Sequence, residues 1–177
     1  MRESFHDGEA TQTMYGEFEI FPFTALEEAE MLLRVALAAL VGGMIGYERR
    51  RSAAPAGIRT LSLVAMGSGT FTVISIFAFS TIEGEFVRDP ARIAAQVATG
   101  IGFIGAGTII RSGTSVRGLT TATGIWVAAG LGMAAGSGLY VLAVGGAALA
   151  MVILAFFPRK PDNGHGEDED DLEGVQL

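Results

Sequence analysis

The sequence has 177 residues, of which 50% are hydrophobic and 18% are charged, and its mean hydropathy is +0.44. A soluble domain carries about 25% charged residues and about 7% Gly, so 25 Gly with this few charges excludes most soluble classes. The lipid bilayer is the expected solvent. Without Cys there is no disulfide, thiolate metal site or Cys nucleophile, and a net charge of −7 makes nucleic acid an unsuitable partner.

The acidic residues are concentrated at the two ends of the sequence. Eight precede Met31, and seven lie between Asp162 and Glu173. We therefore predict an acidic extracytoplasmic segment (1–30), a membrane domain (31–157) and an acidic, disordered cytoplasmic tail (158–177). The first 30 residues lack a positive region followed by an apolar run, so we expect no cleavable signal peptide.

Five apolar stretches predict an all-α integral membrane protein, a bundle of five transmembrane helices. About 20 apolar residues cross a bilayer as a helix, because backbone amides in hydrocarbon must bond within their own segment. Eight of the twelve basic residues fall on one side of this arrangement, which predicts an outside N-terminus and a cytoplasmic C-terminus. The predicted spans are Met31–Tyr47, Leu61–Ile82, Ile93–Ile110, Leu119–Ala135 and Leu139–Phe157.

The third stretch is rich in glycine. Its segment 100–105 reads G-x-G-x-x-G, but a dinucleotide site needs a preceding strand and an acid about 20 residues later, and both are missing from the sequence. Glycine in a membrane helix permits close approach of a neighbour. Helical geometry places Gly100 and Gly107 on one side, and Gly102 and Gly105 on the other. We therefore predict that the third helix lies at the centre of the bundle.

The same geometry defines a candidate functional stripe on the third helix. Gln96, Gly100, Gly107 and Arg111 share one face, and Arg92 and Thr99 lie at its edge. A Gln amide in lipid needs hydrogen-bond partners, and arginines at both helix ends would attract or pair with ions. The alternative is that Gln96 bonds to another helix while the two arginines extend to the headgroups.

The first helix and the loop after it supply the other candidates. Gly42 and Gly46 form a G-x-x-x-G face that predicts close packing against a second helix. Glu48 lies in an arginine-rich loop, where it either pairs with Arg49 or Arg59 or receives a cation, and we favour the ion pair.

Arg34 lies one turn inside the first predicted span. A charge at the bilayer centre costs about 2.5–3.5 kcal/mol on insertion scales, and a position near the edge costs less. We expect Arg34 either to extend to the interface or to pair with Glu30, one turn earlier.

Several motifs in the same order resemble the MgtC/SapB family of bacterial and archaeal inner-membrane proteins. The resemblance covers about residues 32–157, and the lack of a soluble C-terminal domain makes the chain similar to the shorter, SapB-like branch. The motifs are Gly42-x-x-Ile45-Gly46-x-Glu48-Arg49, Ala56-Gly57-x-Arg59-Thr60, Arg92-Ile93-Ala94-Ala95-Gln96-Val97, Gly100 to Gly107, and Gly118-Leu119-Thr120-Thr121-Ala122 with Trp126.

The resemblance implies a multi-pass protein of the cell (inner) membrane that functions in magnesium homeostasis. Family members are tied to growth in low magnesium and to modulation of the ATP synthase. Mg²⁺ would then be a sensed or transported ion, and no other cofactor is implied. Small-residue faces also permit a homodimer, although the same faces serve packing within one chain.

Two functions are open, and the residues favour one of them. The five apolar cores contain no Asp or Glu, whereas Mg²⁺ sites usually combine carboxylates with retained water. We therefore predict a regulator that acts through membrane partners; the alternative is a small magnesium or other ion transporter or channel lined by the third helix. The two histidines, His6 and His165, lie in the polar ends, so we predict no enzyme and assign no metal ligands.

Overall fold

The computed structural model describes residues 23–52, 54–78, 89, 91–113 and 115–157. Within these ranges the chain forms five α-helices and one short β-hairpin, which confirms the predicted helical bundle of a membrane protein. The elements are α1 (Ala25–Arg51), α2 (Ile58–Val73, continued by a π-helical turn, Ile74–Ala78), α3 (Ala91–Ala106), β1 (Ile110–Ser112), β2 (Ser115–Arg117), α4 (Leu119–Gly136) and α5 (Tyr140–Phe156).

Helix α1 begins six residues before the predicted start at Met31 because a capping box fixes its first turn. The Glu27 backbone N–H donates to the Thr24 hydroxyl at 3.4 Å, and the Glu27 carboxylate accepts from the Thr24 backbone N–H at 2.8 Å. This reciprocal pair satisfies two helix-terminal donors. Hydropathy alone misses this polar turn, although the T-x-x-E pattern is present in the sequence.

Helix α4, and not α3, lies at the centre of the bundle. It contacts α1, α2, α3 and α5, whereas α3 packs on α4 and more sparsely on α2. Only Ile101 and Gly105 of α3 are buried, while Phe103 and Ile104 are exposed. The prediction of a central third helix is therefore wrong within this chain. The physical reason is that the small residues Ala, Gly and Thr of α4 let four neighbouring helices approach it closely.

Small residues bring α1, α2 and α4 into close contact. A Cβ atom on Gly42 of α1 would overlap the carbonyl oxygen of Leu61 in α2. A Cβ on Gly132 of α4 would in turn overlap the backbone of Ala65, one turn further along α2. Helix α2 is thus held between two glycine-bearing faces, and Ile45, Ile125 and other buried apolar side chains fill the core around it.

Helix α3 ends at Ala106 rather than at Ile110, and a hairpin that the sequence reading missed follows it. The Thr108 hydroxyl and backbone N–H both bond the Gly105 carbonyl, at 2.7 and 3.0 Å, and close a turn. Strands β1 and β2 then pair antiparallel. The chain enters α4 through Gly118, whose φ of 89° and close approach to the Thr108 carbonyl favour glycine.

Within the described ranges, three helices are long and apolar enough to cross a membrane: α1, α2 with its π-helical turn, and α4. Helices α3 and α5 are apolar but have 16 and 17 residues. At a rise of 1.5 Å per residue, each is about 24–26 Å long, against a hydrocarbon thickness of about 30 Å. The count of five spans and their orientation therefore stay predictions.

Candidate functional site

An open groove with a volume of about 640 Å³ lies between α2 and α3. It forms because α3 packs closely on α4 and only lightly on α2, so the two helices part along one side. Apolar side chains such as Val64, Phe71 and Phe103 make most of its walls. Ser68 and Gln96 contribute the polar side chains of the lining.

The groove contains part of the predicted stripe. Gln96 and Gly100 both line it, and both are exposed. Among the residues that the structure describes, the Gln96 amide has no hydrogen-bond partner. Gly100 has no atom within 4 Å of the position of an added Cβ, so this face of α3 is open to a neighbouring molecule.

The other members of the stripe lie outside the groove. Arg92 is exposed in the first turn of α3, after Asp89, whose carboxylate accepts a hydrogen bond from the Ala91 N–H at 2.9 Å. Gly107 lies in the turn after the helix, and Arg111 lies on β1, where its Nε donates to the Gly113 carbonyl at 3.3 Å. The predicted stripe from Arg92 to Arg111 is therefore not continuous, because the helix whose period defined it ends at Ala106.

Glu48 and Arg59 do not form the expected pair. The Glu48 carboxylate accepts a hydrogen bond from the hydroxyl of Ser52 at 3.1 Å, and the ion pair with Arg49 or Arg59 is not formed among the described residues. Arg59 is exposed in the first turn of α2. The reason is local, since Ser52 lies four residues after Glu48, on the same side of the last turn of α1.

Of the four glycines assigned to packing, three lie against a neighbouring helix and one does not. Gly42 and Gly46 lie against α2, where a Cβ on Gly46 would come within 2.6 Å of the Ile58 Cα. Gly105 lies against Ala122 of α4 at ordinary contact distance. Gly102 has open space within 4 Å, so in the described part of the chain it supports no helix contact.

Arg34 makes a set of contacts that sequence reasoning found only in part. Its Nη2 lies 2.6 Å from the Glu30 carboxylate, the predicted pair, and its Nη1 donates to the Gly136 carbonyl at the end of α4 at 3.3 Å. The guanidinium also lies 5.2 Å from the ring centroid of Phe77, a cation–π distance. The i,i+4 spacing in the sequence predicted the pair with Glu30, but the contacts with Gly136 and Phe77 depend on the tertiary structure and could not be predicted in this way.

The described arginines other than Arg34 and Arg92 gather at one end of the bundle, which we call the basic end. Helix α1 ends there, α2 and α4 begin there, and the hairpin lies there. Two contacts show this: Gly46, near the end of α1, lies against Ile58 at the start of α2, and Gly105, near the end of α3, lies against Ala122 near the start of α4. Glu48 is the one acid at this end among the residues described. The arginines of the basic end are Arg49, Arg50, Arg51, Arg59, Arg111 and Arg117.

In the described residues, no three His, Asp or Glu side chains come together in a group that could hold a metal ion. The side chains brought together in the groove are an amide, a hydroxyl and apolar groups. They offer a surface for lipid or for another helix, with two polar groups available for hydrogen bonds.

The sequence model of the MgtC family matches residues 35–161, which include α1 from Val35 onward, the groove and α5. The chain belongs to the MgtC family. This confirms the resemblance found from the ordered motifs. No solved structure matches the chain.

Named relatives of this MgtC-family chain come from several bacteria. The putative magnesium transporter YhiD of Escherichia coli K12 is 44% identical over 131 residues, which cover 73% of this chain and 61% of YhiD. The protein MgtC of Brucella abortus is 47% identical over 72 residues, 41% of this chain and 28% of that protein. The protein SapB of Bacillus subtilis is 38% identical over 86 residues, 48% of this chain and 37% of SapB. The chain thus spans about three-fifths of YhiD and smaller parts of the other two.

Proposed function

We propose that this MgtC-family protein functions in magnesium homeostasis as a regulator that acts through contacts with membrane partners. The link to magnesium rests on its similarity to YhiD, which is named a putative magnesium transporter. The proposal places the chain in the cell (inner) membrane as a multi-pass protein. A second membrane protein, such as the ATP synthase, or a second copy of the chain would be the partner.

One observation carries the regulatory role: Gln96, without a partner in the described residues, lies in an open and mainly apolar groove. A Gln side chain in a membrane commonly hydrogen-bonds across a helix interface, and exposed glycine lets the partner backbone approach. Gly100, one turn after Gln96, provides that approach. The geometry therefore supports a helix of a partner in the groove better than it supports a hydrated ion.

A second candidate function is transport of magnesium or another ion along the groove. Gln96 and Ser68 favour it, because their side-chain oxygens can coordinate a cation. However, Mg²⁺ loses its water reluctantly and is usually held with the help of carboxylates. Helices α2 and α3 contain no Asp or Glu, so this chain would need a second subunit to complete such a path.

Flux into proteoliposomes that enclose a magnesium-sensitive dye separates the two functions. The regulator predicts no magnesium entry above that of protein-free vesicles, while an ionophore added at the end gives the full signal. The transporter instead predicts protein-dependent entry that Gln96→Leu abolishes. A matched variant, Thr99→Val, changes another exposed polar side chain of α3 that lies outside the groove lining. Flux lost in Gln96→Leu and retained in Thr99→Val would overturn the regulatory role.

A photocrosslinking amino acid tests the partner directly. At Phe103, a groove residue that is 84% exposed, we expect one discrete crosslinked product in membranes that contain the partner. At Val141, which is 89% exposed on α5, the same group lies outside the groove lining and serves as the matched control. Equal products at both positions, or none at Phe103, would contradict a partner in the groove.

A further inference from the structure

Four arginines of the basic end, Arg50, Arg51, Arg59 and Arg111, form no ion pair with an acid among the residues that the structure describes. Arg50, Arg51, Arg59 and Arg111 are exposed, and the Arg111 Nε donates to the Gly113 carbonyl of its own hairpin. The nearby acid, Glu48, is bonded to Ser52. The ion pair between Arg34 and Glu30 lies at the opposite end, where α4 ends.

The path of α5 brings the following part of the chain to this same end. Helix α5 starts beside Arg34, since an added Cβ on Gly138 would lie 3.3 Å from the Arg34 guanidinium. It then runs back along α4, with Gly146 against Leu131. Because α4 begins at the basic end, α5 finishes there, at Phe156.

The sequence after α5 has the opposite charge. Residues 162–173, which we call the acidic segment, contain seven Asp or Glu and no Lys or Arg. Its dense run, 167–171, begins ten residues after Phe157, and ten residues span at most about 33–36 Å. Packed helices lie about 8–10 Å apart, so this length reaches any arginine of the basic end.

We propose that the acidic segment binds the basic end of its own chain. The seven acids are opposite in charge to the arginines of this surface, and the covalent link keeps the segment near it at high local concentration. Arg50, Arg51, Arg59 and Arg111 form the surface. Anionic lipid headgroups or the acidic segment of a second copy could occupy the same arginines, and the test distinguishes them.

The chain has no Cys, so spin labels can be attached to pairs of engineered cysteines without labelling of native residues. One pair, Ser112→Cys with Gly166→Cys, reports the distance from the hairpin to the start of the acidic segment. The control pair, Glu28→Cys with Gly166→Cys, reports the distance from the opposite end of the bundle to the same position. In zwitterionic nanodiscs at low salt, we expect a short, narrow distance for the first pair and a long distance for the second.

Salt provides a test that leaves the sequence of the surface unchanged. The Debye length falls from about 10 Å at 0.1 M to about 3 Å at 1 M ionic strength, so high salt should abolish the short distance. The variant Arg50→Gln/Arg51→Gln/Arg59→Gln should lose it at low salt, and the matching Arg→Lys variant should keep it. A distance that neither salt nor the triple Gln variant changes would overturn the proposal.

Two further conditions identify the occupant. Dilution with unlabelled protein leaves the short distance unchanged if the contact is within one chain, and its loss on dilution would overturn the proposal in favour of a second copy. Anionic lipid in the nanodisc should compete and reduce the short-distance population. A broad distance in zwitterionic nanodiscs, where the arginines have no anionic lipid, would show that the acidic segment does not bind and would equally overturn the proposal.

Discussion

Arg34 illustrates how a charged residue is accommodated near the end of a membrane helix. Its side chain is only 16% exposed, while that of its partner Glu30 is 55% exposed. A half-exposed ion pair contributes little to stability, because water screens it. The hydrogen bond to the Gly136 carbonyl is less accessible to water, and it neutralises one of the unpaired carbonyls that end α4. We infer that this bond is the larger structural contribution of Arg34.

Replacing Arg34 should therefore destabilise the junction of α1 and α4. We expect Arg34→Gln to lower the free energy of unfolding by about 1.5–3 kcal/mol, the range for a hydrogen bond that involves a charged group. Circular dichroism during denaturant titration in mixed micelles measures this value. Glu30→Gln, which keeps the Gly136 bond, should cost less than about 1 kcal/mol.

Arg92→Gln is the matched control for this prediction. Arg92 is also an arginine near one end of a helix, but it is exposed, and its side chain makes no contact that holds two helices together among the described residues. Its replacement should leave the unfolding midpoint unchanged. An Arg34→Gln variant as stable as Arg92→Gln would show that the contact with α4 contributes nothing.

At the level of elements, glycine has two different functions in this chain. Gly42 and Gly132 allow α2 to contact α1 and α4 backbone to backbone. Gly100 and Gly102 lie on opposite sides of α3 and have open space instead, so neither supports a helix contact among the described residues. The sequence alone does not separate these groups, because both occur in apolar, glycine-rich helices.

Substitution by Ala separates them experimentally. We expect Gly42→Ala to lower the free energy of unfolding by about 1–3 kcal/mol, since its Cβ would overlap the Leu61 carbonyl and come within 2.7 Å of the Ala65 Cβ. Gly100→Ala should be neutral or raise stability by up to about 1 kcal/mol, because Ala favours helix and meets no atom. Denaturant titration of both variants measures the difference, and equal losses would contradict the assignment.

The sequence predicted the helices better than their arrangement. Apolar length located all five, and the motifs identified the family. The hairpin was missed because its strands have three residues each and continue the apolar pattern of α3 at Ile110. The central position of α4 was missed because the G-x-G-x-x-G pattern of α3 is more conspicuous than the evenly distributed small residues of α4. Within the candidate site, Gln96 and Gly100 were placed on one face correctly, but Arg111 was not.

For the whole molecule, the separation of charges gives the bundle two different ends. Glu27, Glu28 and Glu30 lie at the end where α1 begins, and six arginines lie at the other. Basic residues stay preferentially on the cytoplasmic side of a membrane. This asymmetry predicts that the basic end faces the cytoplasm, provided that the shorter helices α3 and α5 cross as well.

Cysteine labelling of the Cys-free chain tests this orientation and the number of spans together. If all five helices cross, a membrane-impermeant maleimide should label Ser137→Cys in intact cells and Ser112→Cys only after permeabilisation. If only α1, α2 and α4 cross, the two results exchange, because the hairpin would then stay outside and the α4–α5 turn would lie inside. Glu28→Cys and Ser52→Cys are the references, outside and inside in both cases. We expect the five-span pattern, because α3 runs antiparallel along α4 and brings Gly105 level with Ala122, close to the start of α4.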